Sequence, residues 1–97
     1  MIRSDLPRGV LAAQVGHAAG ESAKGVLPEG TIVVVLAVPD QDSLLEIRRQ
    51  LALAQLEHTL ILENAGPYAD QAMAIGLRPS RDRAAIGKVV SRLPLLK

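Results

Sequence analysis

Two polar residues whose side chains are suited to chemistry stand three positions apart near the start of the chain. Gln14 carries an amide that donates and accepts hydrogen bonds, and His17 carries an imidazole, which can do the same and can also transfer protons. In a helix, this spacing places both side chains on one face. Residues 9–20 are otherwise rich in alanine and glycine, which let a helix lie close to a sheet. The pattern predicts either the rim of a binding site or a tightly packed helix with two hydrogen-bonded polar residues.

The elements that must position these side chains follow from hydrophobic patterning and turn residues. Residues 31–37 and 58–62 are apolar runs without polar alternation, which is typical of strands buried on both faces. Asp40 and Ser80 are suited to the N-caps of the second and third helices. We predict helices at residues 9–24, 41–55 and 81–91, and strands at residues 31–37, 58–62 and 72–77, after a strand stub at residues 1–3.

This order of elements implies an α/β fold. We expect a single domain over residues 1–97, built as three α/β/α layers around a small mixed, mostly parallel four-stranded sheet whose first strand is shortened. Ligands gather at the loops beyond the carboxyl ends of strands in such sheets. Two loops are therefore candidates for a site: residues 4–8, which lead into the first helix, and residues 64–70, which follow the second long strand.

The composition excludes several classes of protein. The 97 residues include Tyr68 as the only aromatic residue and no cysteine, so the core must be aliphatic and neither disulfides nor thiolate zinc sites can form. The two histidines, His17 and His58, lack the paired spacing of metal ligands, and we expect neither a metal nor a cofactor. Because no apolar run is long enough to span a membrane and residues 1–5 do not resemble a signal peptide, we expect a cytoplasmic protein without membrane association.

The charged residues are distributed unevenly along a chain whose net charge is only +1. Residues 65–97 contain six basic and two acidic side chains, whereas residues 25–64 contain two basic and six acidic side chains. If the first and last thirds of the chain met in space, they would present a basic face to a polyanion. The alternative is a solvated last helix with scattered arginines.

A series of short motifs covers nearly the whole chain in a constant order. The motifs are Arg-Ser-Asp-Leu at residues 3–6, Ala-Ala-Gln-Val-Gly-His-Ala at residues 12–18, Val-Val-Leu-Ala-Val-Pro-Asp at residues 34–40, Leu-Glu-Asn-Ala-Gly at residues 62–66 and Ala-Ile-Gly-Leu-Arg-Pro at residues 74–79. Together they resemble the archaeal and eukaryotic type of peptidyl-tRNA hydrolase. The resemblance implies an enzyme that hydrolyses the ester between a peptide and the terminal ribose of tRNA.

The sequence departs from the family pattern where that chemistry is expected. Val10 stands where the family has a lysine before its Ala-Ala-Gln, Asn64 stands for the aspartate of its Asp-Ala-Gly turn, and Tyr68 stands for a threonine. A valine cannot stabilise an anion, and an asparagine can hold a water molecule but is not a base at neutral pH. Losing such groups typically lowers a rate by factors of roughly 10² to 10⁴ each.

Several neighbouring residues are candidates to replace the missing groups. Arg8 can act as an anion clamp at the start of the first helix, or it is a solvated loop residue. Asp70 can act as a general base, or it only shapes a turn. Tyr68 can stack on a terminal base, or it caps the apolar core. Asp5 is expected to bond within its own loop rather than act as a base, and His17 is expected to be structural rather than catalytic.

The site implied by the resemblance consists of two groups of residues. The predicted catalytic residues are Arg8, Asn64, Tyr68 and Asp70. The predicted substrate-binding residues are Arg8, Gln14, His17, Gly66 and Arg78.

Two functions therefore remain open. One is a peptidyl-tRNA hydrolase, or a relative acting on a similar ester, with altered active-site residues; a weaker variant is a hydrolase of an unrelated small substrate in the same cleft. The other is a catalytically inactive member that binds tRNA or protein. Because a shortened first strand leaves a sheet edge or groove exposed, we also expect a homodimer. The apolar residues 93–96 either pack back on the core or contribute to that interface.

Overall fold

The computed structural model describes residues 1–23, 34–63, 66–78 and 83–96. The strands are β1 (Ile2–Arg3), β2 (Ala37–Val38), β3 (His58–Leu62) and β4 (Ala72–Leu77), and the helices are α1 (Arg8–Ala23), α2 (Gln41–Leu53) and α3 (Arg83–Val90), with a 3-10 turn at Gly66–Tyr68. The strands predicted at residues 58–62 and 72–77 are thereby confirmed. The predicted N-cap Ser80 lies outside the described residues. No helix in the described ranges has the length and apolar character needed to cross a membrane.

The four strands form one mixed sheet in the order β2-β1-β4-β3. β1 pairs in parallel with β2, whereas β4 lies antiparallel between β1 and β3. Three of the four strands therefore run in the same direction, as predicted, but only one pair of neighbours is parallel. The short connection over residues 63–71 explains this, because a parallel neighbour would need a crossover of a dozen or more residues.

The strand predicted at residues 31–37 is shorter and lies further along the chain. β2 comprises only Ala37–Val38 because its partner β1 is itself only two residues long. The opposite side of this segment pairs with the C-terminal residues: Leu36 forms an antiparallel bridge with Leu95, and the Ala37 N–H donates to the Pro94 carbonyl at 2.8 Å. Residues 31–33 lie outside the described residues. The C-terminal segment thus packs on its own domain and covers the outer edge of β2.

Two apolar clusters on opposite faces of the sheet make up the core. The α1 cluster contains the buried residues Ile2, Leu6, Ala18, Ile61, Met73 and Ala74. The α2 cluster contains the buried residues Val38, Leu44, Ile47, Leu51, Ala72 and Ile75, with Val89 of α3 packed against it. The helices therefore cover both faces, which confirms the three predicted layers. Since α3 lies on the α2 side, it does not join α1 in one basic face.

Two local features of the helices differ in how well the sequence predicted them. Asp40 caps α2 as predicted, since its Oδ1 accepts the Ser43 N–H at 2.9 Å. The small residues of α1 do not bring the helix close to the sheet, however. Ala18 is buried, but a Cβ placed on Gly16 or Gly20 would meet nothing within 4 Å. These glycines therefore face solvent, and the sheet side of α1 is formed by larger residues.

The strand β3 was expected to be buried on both faces, but it is one of the two edge strands of the sheet. Ile61 is its only buried residue, and 53% of Leu62 is exposed. An apolar run does not reveal the order of strands in a sheet, so this edge position could not be read from the sequence.

Candidate functional site

One edge of the sheet carries four of the eight residues predicted to form a site: Arg8, Gly66, Tyr68 and Asp70. β1, β2 and β3 all end there and β4 begins there, because β4 runs in the opposite direction. α1 and α2 start immediately beyond β1 and β2. Ligands bind at such strand ends in many α/β folds. We call this region the site edge; its described polar residues include Arg3, Asp5, Arg8, Asp40, Gln41, Glu63, Tyr68, Asp70 and Gln71.

The guanidinium of Arg3 organises the middle of the site edge. Its Nε and Nη2 donate to the two carboxylate oxygens of Asp5 at 2.9 and 2.7 Å. Its Nη1 donates to Oε1 of Gln71 at 2.9 Å and to the Ala72 carbonyl at 3.2 Å. Only 8% of the Arg3 side chain is exposed. One buried cation therefore joins the loop after β1 to the start of β4.

This contact also determines the state of Asp5. The hydrogen bond from Arg3 lowers the pKa of Asp5, and the same bond raises the pKa of Arg3. Asp5 is thus a carboxylate whose two oxygens are both occupied, and it is poorly suited to take a proton from water. Asp5 was expected to bond within the loop of residues 4–8, but its side chain bonds to Arg3, the last residue of β1.

The turn between β3 and β4 carries Gly66, Tyr68 and Asp70. Gly66 and Asp70 have φ angles of 79° and 65°, in the left-handed region that glycine adopts freely and aspartate tolerates. The Asp70 N–H donates to the Glu63 carbonyl at 2.8 Å, which closes the turn. Tyr68 packs against the α1 cluster and is half-buried, whereas the Asp70 side chain is exposed. The turn therefore presents a carboxylate to solvent beside an aromatic ring anchored in the core.

The face of α1 that meets β3 carries a regular series of residues at positions 10, 14, 17 and 21. Val10 packs against the α1 cluster. The other three, Gln14, His17 and Glu21, line a groove of about 360 Å³ together with residues 60–63 of the β3 segment. The prediction that Gln14 and His17 share one face is confirmed. We call this depression the α1–β3 groove.

Gln14 is held at the end of the groove nearest the site edge. Its Nε2 donates to Oε2 of Glu63 at 3.2 Å, and the residue is only 4% exposed. Its Oε1 is buried and has no hydrogen-bond partner among the described residues. Gln14 is therefore hydrogen-bonded through its nitrogen, while a buried acceptor left without a donor, as its oxygen is among the described residues, costs about 1–3 kcal/mol.

The remaining predicted site residues are not all brought together. Arg8 is the first residue of α1 and lies exposed at the site edge. Arg78 follows the far end of β4, roughly 20 Å from the site edge by the rise of an extended strand. There it pairs with Glu57, with Nη1 2.8 Å from Oε2. Asn64 lies outside the described residues.

Four residues that contribute to the site edge, namely Arg3, Asp5, Glu63 and Gln41, were not assigned to the site from the sequence. Arg3 ends β1 and Asp5 lies in the turn that follows it, so their opposite charges two positions apart could have indicated their pairing. Glu63 lies within the motif at residues 62–66, but the sequence indicated no role for its side chain. Gln41 accepts the Ala72 N–H at 2.6 Å, a contact between residues 31 apart that no local pattern indicates.

The arrangement provides a solvent-facing carboxylate at Asp70, a cation at Arg8 and the positive end of α1. Such groups can orient water and stabilise an anion. Within the described ranges, no three histidine or acidic side chains are placed to hold a metal ion.

Comparison with known proteins places the chain in a family. A search of the curated proteins found no match. The family model described as Peptidyl-tRNA hydrolase PTH2 matches residues 1–96, which include all four strands and the whole site edge. The chain belongs to the PTH2 family of peptidyl-tRNA hydrolases.

Proposed function

We propose that the protein hydrolyses the ester between an acyl or peptidyl group and the terminal ribose of tRNA at the site edge. The observation that supports this most strongly is the family match, because it extends over every element that contributes to the site edge. The reaction adds water to the ester carbonyl and breaks the bond to the ribose oxygen. A peptide carboxylate and a free tRNA hydroxyl result.

Each step has a candidate among the residues of the site edge. The exposed carboxylate of Asp70 takes the proton from the attacking water, and Asn64 holds that water by hydrogen bonds. Arg8 and the first N–H groups of α1 stabilise the anion that develops on the carbonyl oxygen. Tyr68 supports the terminal base of the tRNA by stacking. The acyl part of the substrate is contacted by Gln14, His17 and Gly66. Arg78, beyond the far end of β4, contacts a tRNA phosphate away from the reacting ester.

A second candidate function is binding without catalysis. Val10 supports it, because the position of the family lysine is filled by a side chain that packs against the α1 cluster. The engagement of Asp5 by Arg3 also removes one carboxylate from consideration as a base. In that case the protein would bind tRNA or a protein partner without turnover.

One assay separates the two functions. Purified protein is incubated with an N-blocked aminoacyl-tRNA, and released amino acid is measured against the uncatalysed rate. The enzyme predicts turnover that falls at least about tenfold in Arg8→Ala and stays unchanged in Arg48→Ala, an exposed arginine on α2. Absence of turnover at high protein concentration, with salt-sensitive tRNA binding, supports the binding module instead.

The partners follow from the same proposal. We propose tRNA as the polyanionic partner and the cytoplasm as the place where the two meet. We also propose a homodimer. Since the C-terminal segment covers β2, the open edge at β3 with its exposed Leu62 is the candidate interface. A monomeric mass in solution at micromolar concentration would exclude the dimer.

A further inference from the structure

We propose that the α1–β3 groove binds a primary ammonium group. The groove is lined by Gln14, His17 and Glu21 on one side and by residues 60–63 on the other, and its volume of about 360 Å³ is large enough for a small amine with an aliphatic stem. The proposal concerns a ligand site and does not require the protein to be an enzyme.

The first argument is the unsatisfied acceptor of Gln14. Its amide orientation is fixed, because Nε2 donates to the Glu63 carboxylate and the reverse orientation would place two acceptors together. Oε1 therefore remains an acceptor, buried and without a donor among the described residues. Gln14 lines the groove and is only 4% exposed. A ligand in the groove that supplies a hydrogen-bond donor to Oε1 would therefore be stabilised.

The second argument is the charge of the groove. Two carboxylates, Glu21 and Glu63, line it, and none of its described lining residues is a lysine or arginine. A phosphate or carboxylate ligand would be repelled there, while a neutral donor would gain less from the two acidic side chains than a cation does. An ammonium group carries three donors and a positive charge, so it matches both the unsatisfied oxygen and the charge.

The third argument is the apolar part of the lining. Leu60 and Leu62 belong to the same wall, and Leu62 is 53% exposed. An aliphatic stem attached to the ammonium group would cover this surface, as amphipathic cations do elsewhere. The stem can belong to the α-ammonium end of an amino acid or peptide, or to a lysine side chain. The two sources share the chemistry that the groove recognises.

The test follows the side-chain amide resonances of Gln14 and the backbone amides of His17 and Leu62 by NMR in ¹⁵N-labelled protein. L-leucinamide supplies an α-ammonium group, Nα-acetyl-L-lysinamide supplies a side-chain ammonium group, and N-acetyl-L-leucinamide has the stem without a cation. We expect saturable shifts with at least one of the first two ligands and none with the third. The cationic ligand that binds more tightly identifies whether the groove recognises an α-ammonium or a lysine side-chain ammonium group. Equal shifts with the uncharged ligand, or no saturation with either cation, would overturn the proposal.

Matched variants locate the binding. Gln14→Leu removes the unsatisfied acceptor and should retain the fold, since an apolar side chain of similar size takes its place and the Glu63 carboxylate, which loses the Gln14 donor, is only half-buried. Affinity for the better ligand should fall about tenfold or more in Gln14→Leu and in Glu21→Gln. It should be unchanged in Glu46→Gln, which makes the same charge change on α2, across the sheet. An equal loss in Glu46→Gln would show a nonspecific charge effect and would contradict the groove.

The outcome can be distinguished from that of the hydrolysis assay, although the proposed function also places Gln14 and His17 in contact with the acyl part of the substrate. An N-blocked aminoacyl-tRNA carries no α-ammonium group, so turnover of that substrate neither requires nor excludes binding in the groove. Failure of the NMR titration would remove the ammonium site alone, and absence of turnover would remove the enzyme alone.

Discussion

Nη1 of Arg3 donates a hydrogen bond to Oε1 of Gln71 at 2.9 Å, between residues that are 68 positions apart in the chain. The same guanidinium holds both carboxylate oxygens of Asp5. The loop that leads into α1 and the turn that carries Tyr68 and Asp70 are therefore fixed relative to each other through one buried side chain. The geometry of the site edge depends on this contact.

Replacing Arg3 should measure that dependence. Arg3→Met keeps the aliphatic stem but removes the donors to Asp5, Gln71 and the Ala72 carbonyl. We expect the free energy of unfolding in urea to fall by about 2 kcal/mol. This is less than a fully buried ion pair would lose, because 39% of the Asp5 side chain is exposed and can be solvated.

The matched control is Arg49→Met on α2. Arg49 also forms a bidentate contact with a carboxylate, Glu46, but both side chains are exposed. Exposed pairs contribute little to stability, so this variant should unfold close to the wild-type urea concentration. Equal losses in the two variants would mean that burial does not set the strength of the Arg3 contact.

The contact with Arg3 also predicts how stability responds to acid. Arg3 lowers the pKa of Asp5 in the folded protein below its usual 3.8, so the folded state favours the carboxylate more than the unfolded state does. The resulting stabilisation is fully present above about pH 4 and is lost as the pH falls through the folded-state pKa. Urea midpoints measured from pH 7 down to about pH 2 should therefore decline less steeply in Asp5→Asn than in the wild type. Parallel declines would exclude Asp5 as a contributor.

The sequence predicted the elements whose cause is local. β3 and β4 are apolar runs bounded by turn residues, and α2 begins at an aspartate that caps its first turn. Their boundaries depend on nearby residues alone, so hydrophobic patterning found them. The shared face of Gln14 and His17 follows in the same way from helical periodicity.

The features that depend on partners distant in the sequence could not be predicted. The length of β2 is limited by β1, and the outer edge of β2 is covered by residues near Leu95. The buried oxygen of Gln14 has no hydrogen-bond donor among the described residues, and this depends on its surroundings in the folded chain, which no sequence pattern reveals. For the candidate site, the sequence indicated the two loops at residues 4–8 and 64–70. It did not indicate that Arg3 joins them through its hydrogen bonds to Asp5 and Gln71.

Asp70→Asn should test the proposed general base. Both residues tolerate the left-handed conformation that position 70 requires, with φ at 65°, so the fold and the urea midpoint should not change. An amide cannot accept the proton, and we expect kcat for an N-blocked aminoacyl-tRNA to fall about 10²-fold while KM stays near the wild-type value. Asp42→Asn, an exposed aspartate in the first turn of α2, is the control and should keep full activity. Unchanged kcat in Asp70→Asn would assign the proton to another group.

The last prediction concerns position 10, where a cation is expected from the family pattern but valine is present. Val10 lies one helical turn before Gln14 and is half-buried against the α1 cluster. In Val10→Lys, the lysine stem can cover the same apolar surface while its ammonium group reaches the solvent at the site edge. We expect a loss of about 1 kcal/mol in stability. If the site edge is the active site, the hydrolysis rate should rise about tenfold or more, because a cation near the ester carbonyl stabilises the developing oxyanion. Ala12→Lys adds the same charge at an exposed position of α1 and should leave the rate unchanged. A rate that does not rise in Val10→Lys, in a protein that still folds, would mean that this part of α1 does not approach the reacting ester, and it would favour the binding module over the enzyme.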